Sequence, residues 1–148
     1  MAVAAHVSRV SKDYAPHGYS INQSISNSMS LPSGTNTHYY VPIAMATDAD
    51  VYLEDINLYM TTGLPADGTN FWTFTLVTVE AGAAHETAIS STTLGGTGVA
   101  INKDTFNRFV ITAPVVAKDK IIALKAVSNH NSSPELEIAL IGRIRRKA

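Results

Sequence analysis

The stretch VYLEDINLYM, residues 51–60, decides the fold, because its large apolar residues recur at every second position. The alternation starts at Val51 and Leu53 and resumes at Ile56 on the opposite parity. A period of two is typical of a β-strand with one buried face, and a change of parity within it indicates one extra residue. The stretch therefore predicts a strand with a β-bulge at Glu54-Asp55.

The same period of two recurs from residue 39 onward, and no window shows a helical period over ten residues. Further strands are predicted at Tyr39–Met45, Phe71–Glu80, Thr87–Thr93, Phe106–Ala113, Ile121–Val127 and Leu136–Leu140. Pro42 lacks an N–H, so the first of these is predicted to be an edge strand or a strand start. Seven or eight short strands separated by turn residues predict an all-β fold, a single antiparallel jelly roll or β-sandwich.

Alternation also predicts which side chains form the core. The predicted inward-facing residues are Trp72, Phe74, Leu76, Ile122, Leu124, Leu136, Ile138 and Leu140. Trp72 and the pair Tyr39-Tyr40 are also candidates for stacking on a sugar. Because Trp72 shares the parity of Phe74 and Leu76, burial in the core is the favoured interpretation for Trp72.

Residues 1–37 differ from the rest in being rich in Ser and Asn and poor in large apolar residues. This composition predicts an extended N-terminal arm that adds little to stability, so that a protein lacking residues 1–30 still folds cooperatively. Residues 38–148 are predicted to form the jelly-roll domain with a short basic C-terminal tail. An arm of this kind is expected to become ordered on a partner surface.

Composition excludes several classes of protein. Charged residues make up 16% of the 148 residues, and the chain contains no cysteine, which rules out disulfides and thiolate sites. The longest apolar run, Val41 to Ala46, is far shorter than the ~20 residues of a membrane-spanning helix. The N-terminal sequence MAVAAH has no basic or long apolar region of the kind found in signal peptides, so none is predicted.

Charge is distributed unevenly along the chain. Residues 41–100 contain seven acidic residues and no Lys or Arg, whereas residues 101–148 contain nine basic and four acidic residues. This asymmetry predicts either a dipolar surface whose packing against other molecules is sensitive to salt, or simply charges that avoid buried strands. The basic cluster at residues 143–147 lacks interleaved aromatic residues, so no nucleic-acid partner is predicted.

No arrangement of residues predicts chemistry. The five histidines, His6, His17, His38, His85 and His130, lack metal-site spacing. The acid pairs Asp48/Asp50 and Glu54/Asp55 could supply oxygen ligands to Ca²⁺, but no EF-hand loop surrounds them. Gly95-Gly96-Thr97-Gly98 lacks the lysine of a phosphate loop, and Glu135 and Glu137 are more consistent with a solvated face than with a glycosidase pair. The sequence predicts no catalytic, cofactor-binding or metal-binding residues and no cofactor.

Three stretches carry a resemblance to a known family. They are Asp50 to Met60 with the Gly/Pro/Asp loop and aromatic strand that follow, Pro114 to Leu124, and the alternating strand Glu135 to Ile141. In layout, residues 39–142 resemble the jelly-roll head decoration (cement) proteins of tailed bacteriophages. The resemblance implies a homotrimer on the outside of an icosahedral capsid, in contact with the major capsid protein. Only Arg9 and Lys12 are basic in residues 1–37, unlike the arm of a coat protein that packages RNA.

Function is therefore expected to be structural. The sequence predicts a non-catalytic virion protein that decorates and stabilises a phage capsid, located on the capsid exterior and without a membrane partner. The alternative is a phage tail-fibre protein or a receptor- or carbohydrate-binding module, which would use similar folds. An enzyme is not expected, because no feature of the sequence calls for one.

Overall fold

The computed structural model describes residues 19–32, 37–46, 49–80, 86–90, 94–129 and 136–147. These residues form β-strands and connecting turns, without a helix. The strands are β1 (Tyr19–Leu31), β2 (His38–Met45), β3 (Val51–Met60), β4 (Trp72–Glu80), β5 (Glu86–Ala88), β6 (Leu94–Gly95), β7 (Asn107–Arg108), β8 (Val115–Val116), β9 (Lys120–Ser128) and β10 (Leu136–Lys147).

The strands form two antiparallel sheets that pack face to face. The first sheet has the order β1-β10-β3, with β7 and β8 both pairing the far edge of β3. The second sheet has the order β2-β9-β4, with β5 and β6 both pairing the far edge of β4. Strands β1 to β4 alternate between the two sheets. Strand β9 then lies between β2 and β4 in the second sheet, and β10 lies between β1 and β3 in the first. This strand order is that of a jelly roll, so the predicted fold class is confirmed.

The core lies between the two sheets and is built from alternate residues of the long strands. Trp72, Phe74 and Leu76 on β4 are fully buried. The ring centroids of Trp72 and Phe74 are 6.1 Å apart. The predicted partners on β9 and β10, Ile122, Leu124, Leu136, Ile138 and Leu140, are also buried. The predicted core face is confirmed, because the period of two places these residues on one side of each strand.

The predicted bulge in β3 is present at Glu54. Arg143 of β10 pairs with Asp55, and the next residue, Ile144, pairs with Leu53, so Glu54 is the extra residue. Burial changes parity at this point: Leu53 and Ile56 are both buried, while Glu54 and Asp55 between them are partly exposed. The bulge thus places two consecutive carboxylates on the outer face of the first sheet.

Strand β1 differs from the expectation of an arm over residues 1–37. Residues 19–31 pair with β10 in antiparallel register from Tyr19↔Lys147 to Leu31↔Leu136. Leu31 is buried, and Met29 packs against the core. Residues 1–18 and 33–36 lie outside the described residues. The sheet therefore begins well before residue 38, because a Ser/Asn-rich strand needs few apolar residues when its neighbour β10 supplies them.

Two further predictions have different outcomes. Strand β2 is at the edge of the second sheet, pairing only with β9 among the described strands, as Pro42 predicts. The strand predicted over Phe106–Ala113 is reduced to β7, two residues long, with an isolated bridge between Ile111 and Ser90. Beyond Arg108 the chain leaves β3, after a last hydrogen bond from Phe109 N to the Ile56 carbonyl, and returns to it at β8.

Candidate interaction surface

The outer faces of the two sheets have different side-chain chemistry. All four arginines among the described residues lie in strands of the first sheet: Arg108, Arg143, Arg145 and Arg146. The described strands of the second sheet contain Lys120 and Lys125 and no arginine. Protein–protein interfaces are enriched in Arg, Tyr and Phe and depleted in Lys. The first sheet is therefore the better candidate for a contact surface.

An ionic cluster occupies the centre of the first sheet's outer face, at the β3 bulge. Arg143 donates to both carboxylate oxygens of Asp55, through Nε at 3.2 Å and Nη2 at 3.1 Å. Arg145 Nη2 donates to Glu54 Oε1 at 2.8 Å, and Glu54 Oε2 lies 3.7 Å from Arg143 Nε. Asp55, through its hydrogen bond, raises the pKa of Arg143 above its ordinary value. The two carboxylates exposed by the bulge are thus matched by two guanidinium groups of the same chain.

Apolar and aromatic side chains border this ionic cluster. Phe106, Val110 and Val115 are 62%, 52% and 51% exposed along the β7–β8 edge, and Ile141 is 37% exposed on β10. The Phe106 ring lies 6.0 Å from the ring of Tyr59, whose hydroxyl donates to Asp104 Oδ1 at 3.1 Å. We call Tyr59, Phe106, Val110, Val115 and Ile141 the apolar border.

A cleft of about 350 Å³ opens where the chain between β7 and β8 leaves β3. Its walls include Tyr52, Val110, Ile111 and Pro114, with Arg108 and Glu54 also lining it. The cleft exists because Leu53 N donates to the Pro114 carbonyl and Phe109 N to the Ile56 carbonyl, so that the chain bows outward between these two bonds. This cleft has both polar and apolar walls, and together with the exposed apolar residues beside it, it extends the candidate surface around the edge of the first sheet.

The second sheet's outer face carries a smaller polar cluster. The Tyr40 hydroxyl donates to Glu86 Oε2 at 2.5 Å, and Lys125 forms an ion pair with Glu86. The Lys125 ammonium also lies 5.8 Å from the centroid of the Tyr40 ring. These hydrogen bonds, that from Lys125 foremost, lower the pKa of Glu86, and the hydrogen bond to Glu86 raises the pKa of Lys125.

The sequence candidates for sugar stacking separate in the structure. Trp72 is fully buried, as its parity predicts. Tyr39 is half-buried with its ring 5.9 Å from that of Trp72, and its hydroxyl donates to the Pro32 carbonyl at 3.3 Å. Only Tyr40 of the three has an exposed ring face, at 47% exposure. The three aromatic side chains therefore do not form one stacking platform.

The acid pairs considered as Ca²⁺ ligands have other partners. Glu54 and Asp55 bind arginines, and Asp50 Oδ1 accepts the Lys118 N–H at 3.0 Å. Asp48 lies outside the described residues, as do Glu135 and every histidine except His38. Among the described residues, no group of three or more His, Asp or Glu side chains is arranged to hold a metal ion. No described helix is long and apolar enough to cross a membrane.

Part of the uneven charge distribution is neutralised by ion pairs within the protomer. Each ion pair among the described residues joins an acid of residues 41–100 to a base of residues 101–148: Glu80–Lys120, Glu86–Lys125, Glu54–Arg143, Asp55–Arg143 and Glu54–Arg145. The register of β3 with β10 and of β4 with β9 brings the two segments together. Four of these five ion pairs join adjacent strands, and the fifth joins Glu86 of β5 to Lys125 of β9 across β4.

Sequence reasoning missed the apolar border. Within the predicted strand Phe106–Ala113, Phe109 is buried. Phe106, Arg108 and Val110 alternate with the buried Phe109 and therefore point away from the core. Two large apolar residues on that face are the feature of the sequence that indicates the apolar border.

Comparison with known proteins gives a structural likeness without a sequence relationship. No protein-family model matches the chain, and no curated protein matches it. Among solved structures it is similar to a chain described as "Structure of infectious bursal disease virus Gx strain", with a TM-score of 0.42 and 10% identity. The likeness covers 88% of this chain and 32% of the viral chain, so this chain spans about a third of that one. The jelly-roll assignment rests on the strand order and not on this likeness.

Proposed function

We propose that this chain is a non-catalytic virion structural protein that decorates and stabilises an icosahedral phage capsid. In this proposal it acts as a homotrimer on the capsid exterior and binds the major capsid protein. The observation that carries the proposal is the apolar border of the first sheet, which surrounds an ionic cluster already neutralised within the protomer. This composition suits a permanent protein–protein contact.

The chemistry of the surface indicates what kind of contact forms. Arg143, Arg145, Glu54 and Asp55 are paired with one another, so a partner does not need to neutralise them. The exposed apolar area at Phe106, Val110 and Val115 is the part of the face that gains most from burial, at roughly 25 cal/mol per Å². We therefore propose that subunit contacts are mainly apolar and that they enclose the ionic cluster of the same face.

A three-fold arrangement would bring this surface of each copy against its neighbour. Cyclic closure buries equivalent surfaces and leaves one end of the trimer free to bind the shell. Several weak contacts made by one trimer then act as linked binding events, so that modest affinity at each site gives tight attachment.

The test measures oligomeric state by native mass spectrometry and binding to expanded, undecorated heads of the source phage. The wild-type protein should form trimers and bind heads, and both should persist at about 1 M salt, where the screening length is ~3 Å. Phe106→Asp should keep the fold and lose trimers or head binding. Thr87→Asp, at an exposed position of β5 in the second sheet, is the matched control. A protein that stays monomeric and ignores heads would refute the proposal.

A second candidate function, receptor or carbohydrate binding in a tail fibre, is favoured by one observation. The exposed ring of Tyr40 is flanked by the hydrogen-bonding groups of Glu86 and Lys125, a combination that suits a sugar. Binding to a glycan array that is lost in Tyr40→Ala, with no binding to heads, would favour this function over decoration. Retained head binding in Tyr40→Ala would favour decoration.

A further inference from the structure

Strand β1 forms one edge of the first sheet and is unusual for an edge strand. It spans 13 residues, Tyr19–Leu31, pairs with β10 on one side, and has no strand on its other side among the described residues. Its sequence, YSINQSISNSMSL, contains no charged residue and no proline. In an antiparallel pair every second residue turns its N–H and C=O away from the neighbouring strand, so β1 presents a long row of backbone groups outward.

The remaining edges are protected in the ways that natural sheets use. Strand β2 at the edge of the second sheet contains Pro42 and a register shift between Pro42 and Ala44. At the far edges, β5, β6, β7 and β8 are two or three residues long. Proline, irregular register and shortness all prevent another strand from adding to an edge. From Ile21 to Leu31 strand β1 has none of these features, because its register shift lies at its start, between Tyr19 and Ile21. This part of the edge is therefore suited to pairing with another strand.

We propose that β1 pairs antiparallel with β1 of a second copy of this chain, around a two-fold axis, and so joins the first sheets of two protomers into one continuous sheet. The contact is isologous: residue i of one copy lies opposite residue j of the other, and j lies opposite i. Over 13 residues at ~3.4 Å each, the paired strands would run side by side for up to about 44 Å.

The absence of charge is what points to a second copy as the partner. When a strand pairs with itself across a two-fold axis, any charge near the axis meets a like charge, which destabilises the pair. Strand β1 has no charge along its length, whereas its neighbour β10 contains Glu137, Arg143, Arg145, Arg146 and Lys147. A strand selected to bind a different, charged partner would have no reason to exclude both signs of charge.

The side chains described on β1 agree with close pairing. Ser28 and Ser30 are exposed and small, and Met29 between them packs toward the core. Short side chains such as these allow an incoming strand to approach, and the Ser28 hydroxyl can hydrogen-bond across the new pair. The ridge of large apolar residues that would mark a face-to-face contact is absent from these positions, which agrees with pairing through the edge.

This inference does not depend on the proposed function. The β1 edge and the β7–β8 edge lie on opposite sides of the first sheet, separated by β10 and β3. A two-fold contact at one edge and a three-fold contact at the other can coexist, in which case trimers would be linked through β1. If experiments show that one of these two contacts does not form, the other contact can still be tested separately.

A cysteine scan tests the proposal, because the chain contains no native cysteine. Each position from 22 to 29 is changed in turn to Cys, for example Ser24→Cys or Ser26→Cys, and mild oxidation is followed by gel electrophoresis under denaturing conditions. A disulfide needs a distance of ~3.5–4.5 Å between the two Cβ atoms. In an antiparallel pair around a two-fold axis, identical residues of the two copies come this close only beside the axis. Cross-linking should therefore peak at one position, or at two adjacent ones, and fall several-fold on both sides.

A second measurement covers the case in which cysteine variants fold poorly. Ser26→Lys places a like charge in the paired strands and should weaken the dimer several-fold in sedimentation experiments on the full chain. Thr87→Lys on β5 is the matched control and should dimerise as the wild type does. The proposal would be overturned if cross-linking were equal at all scanned positions and at Thr87→Cys. It would also be overturned if the wild-type protein formed no even-numbered oligomers at about 100 µM.

Discussion

A Cβ atom on Gly142 would lie 2.2 Å from the main-chain carbonyl oxygen of Asp55. Gly142 pairs with Ile56 directly beside the β3 bulge, and its Cβ would also lie 3.0 Å from the Ile56 Cα. We expect Gly142→Ala to destabilise the protein by about 1–3 kcal/mol, as overpacking of a rigid site does. Chemical denaturation of the purified variant measures this change in the free energy of unfolding.

Gly68 is the control for this substitution. It lies in the loop after β3, has no positive φ angle, and a Cβ there would meet no atom within 4 Å. Gly68→Ala should change the free energy of unfolding by less than about 0.5 kcal/mol, as is usual for surface changes. If both variants were equally stable, the close approach at Gly142 would not constrain the bulge.

Burial of Trp72 gives a second prediction. Trp72 has no exposed surface and is the chain's single tryptophan, so the native protein should fluoresce at the short wavelengths typical of a buried indole. Trp72→Ala should lower the free energy of unfolding by about 3–5 kcal/mol, and Trp72→Phe should cost less because it keeps part of the volume. A native emission maximum equal to that of the unfolded chain would contradict the burial.

Much of this architecture could be predicted from the sequence because β-strands record burial at every second residue. The parity change between Leu53 and Ile56 located the bulge, and Pro42 located an edge. Trp72, Phe74 and Leu76 located the inner face of β4. Each of these features depends on the local pattern alone, and a strand with one buried face displays that pattern directly.

Features that depend on strand register could not be predicted. The pairing of Arg143 with Asp55 joins residues far apart in sequence, and only the register of β10 against β3 brings them together. In sequence, β1 is typical of an arm because its Ser and Asn residues give a weak alternation. The predicted strand Phe106–Ala113 is longer than β7 because alternation alone does not show where the chain leaves β3.

The ionic cluster gives a third prediction, which compares its two arginines. The Arg143 side chain is 50% exposed, whereas that of Arg145 is 12% exposed and binds Glu54. Arg143→Met should change the free energy of unfolding little, as for a surface ion pair. Arg145→Met should cost more, up to about 3 kcal/mol, because it leaves Glu54 partly buried without its main partner. Thermal unfolding at low salt would rank the two variants, and a larger loss for Arg143→Met would contradict this account.

A fourth prediction concerns pH and the Tyr40–Glu86–Lys125 cluster. The pKa of Glu86 is lowered in the folded protein, chiefly by its hydrogen bond from Lys125, so the unfolded chain binds more protons in mild acid. The stabilisation from Glu86 is therefore complete above the ordinary pKa of ~4.3 and is lost as the pH falls through the lower folded pKa. The raised pKa of Lys125 matters at alkaline pH. The stabilisation from Lys125 is complete below its ordinary pKa of ~10.4 and is lost as the pH rises through the higher folded pKa.

Glu86→Gln tests this cluster. The variant should lose stability at neutral pH, and its unfolding temperature should fall less steeply between about pH 5 and pH 3 than that of the wild type, because one titrating group is gone. Glu137→Gln, at an exposed position of β10, is the control for the loss of one carboxylate and should keep the wild-type stability at neutral pH. Parallel pH profiles for Glu86→Gln and the wild type would show that Glu86 does not contribute.

The last prediction concerns the contribution of β1 to stability, on which the sequence and the structure disagree. The Ser/Asn-rich composition predicts that residues 1–30 can be removed at little cost. The structure instead pairs β1 with β10 from Tyr19 to Leu31 and buries Leu31 at 3% exposure. Removing residues 1–31 should therefore lower the free energy of unfolding by about 3 kcal/mol or more, since a buried Leu alone contributes ~1.5–3 kcal/mol.

Truncation also changes which strand forms the edge. Without β1, the 12-residue strand β10 loses its backbone partner on one side, and its alternate apolar residues lose cover. The comparison is a protein that lacks residues 1–18 and keeps all of β1. Denaturant titration should separate the two truncated proteins by this energy, and the shorter one should aggregate at lower concentration. Equal free energies of unfolding for the two proteins would instead support the prediction from composition that residues 1–30 add little to stability. They would mean that β1 pairs with the sheet without stabilising it.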